Sequence, residues 1–317
     1  MKSRNQHPHE PVLLEETVSA LVTDKNGTYI DCTVGFGGHS FAILQKISKN
    51  GKLFGIDYDP YALEYSKKRL SELNRSYELF LSNYTELKNI LRTMNIDKVN
   101  GILFDLGISS YQVDSGYKGL SYRVNSPLDM KLDPNSNKNI NDILENFNDE
   151  ELANLIYNNS EEKNSRKIAK SINIKYKNNN LKTNSDLVEA IHEVTPKRFL
   201  NKTLSRVFQA FRIAVNNEFE NIYKSVVQAI KLLKPGGRLV IITFHSIEDR
   251  LVKNIFKSFA RGDESYLENI GYKLSIKCEK IIKIVTKKPI RPNRDEILSN
   301  KRSRSAKLRI IERLIIV

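Results

Sequence analysis

Three acids, Asp31, Asp57 and Asp105, each close a short apolar run in the first third of the chain. Three positions after the first begins V-G-F-G-G-H-S, residues 34 to 40. Tyr29, Ile30, Cys32 and Val34 read as a short buried strand. Gly35, Gly37 and Gly38 let the backbone turn sharply and lie against a ligand, since no Cβ intervenes. The helix that follows, from about Gly38 to Ile47, points its first N–H groups at whatever sits there. Asp57, some twenty residues beyond the turn, is spaced to hold ribose hydroxyls. The set supports nucleoside binding.

The turn also limits which nucleoside. A dinucleotide fingerprint needs G-x-G-x-x-G, but Ser40 stands at the third glycine position. The shape G-x-G-G with Asp31 just upstream suits a smaller ligand whose carboxylate and amine meet the turn. S-adenosylmethionine has that form, and its ribose would lie at Asp57. The bland alternative is an ordinary βα turn with no nucleotide.

The elements that must position these acids follow the same rhythm. Strands are expected at Lys52 to Ile56, Tyr77 to Leu81 and Val99 to Phe104. Asp59 and Pro60 begin the helix after the second strand, Asp59 as its cap. An amphipathic helix follows Pro11, built on Val12, Leu13, Thr17, Ala20 and Leu21. The alternation argues for an α/β fold with a parallel sheet covered on both faces. Asp31, Asp57, Tyr84 and Asp105 then lie at the C-terminal strand ends, where such sheets bind ligands. Tyr84 is placed either to lie along a bound adenine or simply to pack.

From about Tyr111 the pattern becomes helical, with Asn-rich connections and no strand of sheet-core type. The sheet pattern resumes with a helix from Glu218 to Leu233, the turn K-P-G-G and a strand from Arg238 to Phe244. Further strands near 279 to 286 and 306 to 311 are expected to form an antiparallel edge pair. The expected organisation is a discontinuous domain, 1–113 with 213–317, interrupted by an inserted helical domain at 114–212.

Bulk properties narrow the class. The 317 residues are 40% apolar, enough for a core. No apolar run reaches the ~18 residues that span a bilayer, and no signal-peptide pattern opens the chain. A cytoplasmic location is expected. Cys32 and Cys278 support neither a disulfide framework nor a cysteine metal site. No metal is expected, since a terminal His7 and His9 pair has no carboxylate cage. Fifty-one Lys and Arg against 37 Asp and Glu give a net charge of +14, which favours nucleic acid as partner over membrane.

Taken together, the motifs resemble one family, the bacterial small-subunit (16S) ribosomal RNA cytosine-N4 methyltransferases. The matching stretches are H-E-P-V-L-L-E-E at 9 to 16, D-C-T-V-G-F-G-G-H-S at 31 to 40 and D-L-G-I-S-S-Y-Q-V-D at 105 to 114. P-L-D-M-K-L-D at 127 to 133, E-E-K-N-S-R-K-I-A at 161 to 169 and F-Q-A-F-R-I-A-V-N at 208 to 216 continue it. The last are P-G-G-R-L-V-I-I-T-F-H-S-I-E-D-R at 235 to 250 and R-S-R-S-A-K-L-R at 302 to 309. K-G-L-S-Y at 118 to 122 departs from the family's Arg-Gly-Phe-Ser-Phe run. N-K-T-L-S-R before Val207 replaces a His-Pro-containing one.

The resemblance implies a Rossmann-like class I S-adenosylmethionine-dependent methyltransferase domain with the inserted helical domain recognising substrate. It implies that Gly37, Gly38, His39, Asp57, Tyr84, Asp105 and Gln112 hold the cofactor. The implied partner is 16S rRNA in the small ribosomal subunit, methylated on N4 of a cytidine in the decoding centre near the P site. Neither a membrane nor an obligate protein partner is expected.

The chemistry needs little. A cytosine amine is a poor nucleophile whose lone pair is delocalised, so an acceptor for one N–H and in-line placement are the requirements. Asp105, Ser109 and Ser110 stand where that acceptor belongs, although Asp105 could serve the cofactor alone. His245, at another strand end, is placed to face the base or to be structural, with Ser246 capping the next helix and Asp249 echoing a capping box. Phe208, Phe211, Tyr122 or Arg206 are candidates for stacking on a displaced base, although Phe208 and Phe211 at spacing three also suit a helix core. The runs at 287 to 294 and 302 to 309 are candidates for phosphate contact. Methylation of DNA or a small molecule, and a ribosome-assembly factor with vestigial cofactor binding, are the competing classes.

Overall fold

The computed structural model describes residues 10–108, 119–133, 136, 138–268 and 278–315. They divide into two compact units, residues 1–107 with 219–317 and residues 108–218. Helix Leu200–Asn216 runs unbroken across the 212/213 junction expected from the sequence.

The first unit holds α1 (Leu14–Leu21), β1 (Thr28–Asp31), α2 (Gly38–Lys46), β2 (Lys52–Asp57), α3 (Pro60–Leu70), β3 (Ser76–Leu81), α4 (Leu87–Thr93) and β4 (Val99–Asp105). Its seven-stranded sheet is completed from the far end of the chain by β5 (Leu233–Thr243), β6 (Ile282–Ile284) and β7 (Lys307–Arg313). The strand order is β3-β2-β1-β4-β5-β7-β6. The first five strands are parallel, and β7 pairs antiparallel with both β5 and β6. This is the Rossmann-like class I methyltransferase arrangement. The two late strands pair antiparallel as expected, but only β6 is an edge, because β7 adds directly to β5.

Alternation along each strand feeds two cores. Ile102 and Phe104 of β4 face one side together with Leu239 and Ile241 of β5, under Leu87, Leu91, Val226 and Ile255. Leu103, Val240 and Ile242 face the other, under Leu21, Ile43 and Leu44. Burial on both faces is what makes these strands read as continuous apolar runs. In β5 the pairing jumps from Leu233 to Arg238 opposite Val99 and Gly101. The K-P-G-G turn bulges there, with Gly236 at φ +76°.

The second unit is helical among its described residues: α5 (Ile140–Asn146), α6 (Asp149–Ser160), α7 (Ser165–Lys177), α8 (Asn184–Glu193) and α9 (Leu200–Asn216). Three starts are fixed by capping boxes, Asn139 with Asp142, Asn148 with Glu151 and Thr183 with Asp186. Phe208 and Phe211 are buried in this unit, and Tyr122 meets Phe208 edge-on at 5.7 Å. Two of the stacking candidates are therefore core residues. Arg206 pairs with Glu162 at 3.3 Å. The chain returns to the first unit through α10 (Glu218–Leu232).

Candidate active site

Three acids converge within the first unit, at the carboxyl ends of β1, β2 and β4. Asp31 is fully buried; its Oδ2 accepts from Ser40 Oγ at 2.7 Å and its Oδ1 from Thr33 N at 3.1 Å. Burial outweighs those donors and pushes its carboxyl up to about 6. Thr33 Oγ1 accepts the Asp105 N–H at 2.7 Å, tying the ends of β1 and β4 together.

Asp57 anchors the glycine turn. Its Oδ2 accepts from Gly35 N at 2.7 Å and its Oδ1 from Asp59 N at 2.9 Å. Burial raises this carboxyl to about 6 as well. Each oxygen retains a second lone-pair direction for a hydroxyl donor. Asp59 caps α3, accepting from Tyr61 N and Ala62 N, so the two neighbouring acids have separate jobs.

The turn is held from α3 too. Ser66 Oγ donates to Gly35 O at 2.6 Å and Arg69 Nη1 to Phe36 O at 3.1 Å. Gly35 and Gly37 have φ of +50° and +75°, a region that excludes most side chains. Gly38 serves packing: a Cβ there would come within 2.9 Å of Pro11 Cγ. Among the described residues, chain neighbours aside, the one heavy atom within 4 Å of a Cβ position at Gly35 is Thr33 O at 4.0 Å.

Asp105 is the least satisfied of the acids. Its Oδ2 lies 3.5 Å from His39 Nδ1, and its buried Oδ1 has no hydrogen-bond partner among the described residues. Burial, reinforced by Asp31 and Glu248, pushes its pKa well above the ordinary value. The His39 ring is buried, with Nε2 3.0 Å from Val12 O.

The remaining sequence candidates separate. Tyr84 is half-buried in the turn after β3 and meets Phe104 edge-on at 5.6 Å, within the packing of the core. His245 is the N-cap of α11 (Ser246–Arg261). Its Nδ1 accepts from Glu248 N at 3.3 Å, and its Nε2 lies 2.8 Å from Glu248 Oε1. The cap is thus His245 with Glu248, correcting the assignment to Ser246 with Asp249, because Asp249 is held by Arg309 and Lys307. Ser109, Ser110 and Gln112 lie outside the described residues.

Sequence reasoning missed Thr33, Ser66, Arg69, Val12 and Glu248. Ser66 and Arg69 do carry a signal, being polar residues at spacing three on one face of α3. Val12 acts through its carbonyl, which side-chain patterns do not report.

The acceptors left for a ligand, Asp57 and Asp105 at the same carboxyl end of the sheet, suit a cationic ligand bearing hydroxyl and amine donors and disfavour a phosphate. Comparison with known proteins agrees in class. Residues 6–314 match the model of the MraW methylase family. A protein of Fusobacterium nucleatum subsp. nucleatum named ribosomal RNA small subunit methyltransferase H is 41% identical over 317 residues, covering 96% of this chain and 97% of that one. Proteins of the same name from Brevibacillus brevis and from Clostridium botulinum strain 657 are 40% and 42% identical, covering 96% of this chain and 98% and 99% of theirs. With a family model spanning nearly its whole length and relatives this similar from end to end, the chain belongs to the MraW methylase family.

Proposed function

We propose that this protein uses S-adenosylmethionine to methylate the N4 amino group of a decoding-centre cytidine in 16S rRNA of the small ribosomal subunit. The observation that carries the reading is the buried Oδ1 of Asp105, without a hydrogen-bond partner among the described residues, at the same carboxyl end of the sheet as Asp57, which anchors the glycine turn. The acceptor set fits the cofactor: carboxylates complement a sulfonium, an ammonium and a ribose diol, and among the described residues only Thr33 O, chain neighbours aside, comes within 4 Å of where a Gly35 Cβ would sit.

When bound, S-adenosylmethionine supplies a methyl group activated on sulfonium sulfur. Asp57 would hold the ribose hydroxyls through its spare lone pairs, with Tyr84 beside the adenine. Asp105 would accept an N–H of the target amine and favour its pyramidal form. Asp31 holds Ser40 and Thr33 in place, and through Thr33 fixes the Asp105 backbone. Ser109 and Ser110, from their place in the sequence after β4, would serve the substrate side, and Gln112, by resemblance, the cofactor side. His245, engaged as a helix cap, would act on orientation rather than on the base. The helical unit would recognise RNA, and cationic side chains outside the core would meet phosphate.

The test is methyl transfer from labelled S-adenosylmethionine to unmodified small subunits, naked 16S rRNA and DNA, read by nucleoside mass spectrometry. N4-methylcytidine formed only with subunits is the expected result. Label on DNA, or on another RNA atom, overturns the reading.

A further inference from the structure

His39 is implied by resemblance to hold cofactor, yet its side chain is committed inward. Nε2 lies 3.0 Å from the Val12 carbonyl, which only accepts, so Nε2 carries a hydrogen. Nδ1 faces Asp105 Oδ2 at 3.5 Å. Two bare lone pairs facing one another repel, so the arrangement favours a proton on that edge, on Nδ1 or on Oδ2. Under either placement Oδ1 is left as an acceptor only.

The backbone that orients Val12 is itself constrained. Leu13 is buried with φ +51°, an uncommon conformation for a branched residue. Its N–H donates to Glu296 Oε1 at 2.7 Å. Pro11, one residue earlier than Val12, packs where a Cβ on Gly38 would sit. Residues 11 to 13 thus form a strap whose Val12 carbonyl selects the His39 tautomer.

We propose that His39 is a positioning residue for Asp105: fixed by the Val12 carbonyl, it keeps the shared proton on the Oδ2 side and preserves Oδ1 as the acceptor for the target amine. The inference rests on the role given to Asp105 above. Among the described residues the charged groups acting on Asp105 are Asp31 from β1 and Glu248 from α11, both carboxylates. Neither can replace the imidazole as the proton-bearing partner that keeps Asp105 competent at neutral pH.

Single-turnover methyl transfer across pH, with cofactor saturating, tests this on wild type, His39→Gln and Asp105→Asn. In His39→Gln the acid limb of the rate is expected to move to higher pH, since no imidazole remains to hold the shared proton away from Oδ1. Activity should return at alkaline pH. A loss that is uniform across pH, or that follows cofactor affinity, overturns the positioning role while leaving Asp105 intact. Full activity in Asp105→Asn instead overturns the reading of Asp105.

A second measurement does not depend on the His39 variant folding. In 15N-histidine-labelled wild type, one ring should show a protonated Nε2 and an Nδ1 signal that shifts in Asp105→Asn. If the ring whose Nδ1 responds to Asp105→Asn has a bare Nε2, or if no ring responds, the proposal fails.

Discussion

The Arg309 guanidinium closes on both oxygens of Asp249, Nε 2.6 Å from Oδ1 and Nη2 3.1 Å from Oδ2, inside the fold. Lys307 Nζ adds a third interaction at 3.2 Å. These cations hold the Asp249 carboxyl below its usual range, even though burial opposes them. Arg309→Met should therefore cost about 3 kcal/mol, since it strands a buried carboxylate with only Lys307 beside it. Chemical denaturation measures this, and the salt dependence of RNA binding should not change.

That pair shows where sequence reading reaches its limit. R-S-R-S-A-K-L-R reads as one basic run, but Arg302 and Arg304 are exposed on the helical turn before β7, while Arg309 within β7 is buried. Charge composition cannot tell these apart; the partner, Asp249, is sixty positions away on another element. The parallel sheet was legible because its strands are continuously apolar and bounded by turn residues. The acids at strand ends were legible for the same reason. What the acids touch was not, because Thr33, Ser66 and the Val12 carbonyl act through single polar atoms with no periodic signature. The helix starts in the second unit were partly legible from Asn and Thr followed by an acid three residues later, as at Asn148 and Glu151.

Exposed cations should behave differently from Arg309. Lys287 and Lys288 lie exposed between β6 and β7. Replacing both with Gln should leave stability unchanged and lower the slope of log affinity against log salt by about 0.7 for each phosphate no longer neutralised. A salt titration of RNA binding reads this directly.

Asp57 and Asp59 provide a matched contrast. Asp59→Ala removes an N-cap and should cost about 1 kcal/mol while cofactor affinity holds. Asp57→Ala should weaken S-adenosylmethionine by tenfold or more, since it frees the Gly35 N–H and removes the ribose partner proposed above. Isothermal titration with both variants separates the two roles.

Asp31 sets a pH dependence of stability. Its folded pKa of about 6 lies above the unfolded value near 3.8, so the folded state binds the extra proton between those pH values. Above pH 6 the buried carboxylate costs stability, and that cost is relieved as pH falls toward 4. The stability of Asp31→Asn relative to wild type should therefore rise by about 3 kcal/mol from pH 4 to pH 8. Denaturation curves of both proteins across that range give the double difference, and a flat difference contradicts the assignment.

Asp105→Asn should lower turnover by about a hundredfold or more with cofactor affinity little changed, because the amide replaces one acceptor oxygen with an N–H donor. Retained turnover would leave the acid a purely structural role.

The sheet order has a consequence for how the chain is made. β4 pairs with β1 on one side and β5 on the other, yet β5 begins only at Leu233, after the whole helical unit. During synthesis the N-terminal strands can assemble while one edge of β4 waits, apolar and unpaired, for a segment not yet translated. The helical unit is contiguous and has no such wait. A nascent chain halted after Asn217 should be held by chaperones through its first hundred residues, and release should follow emergence of β5.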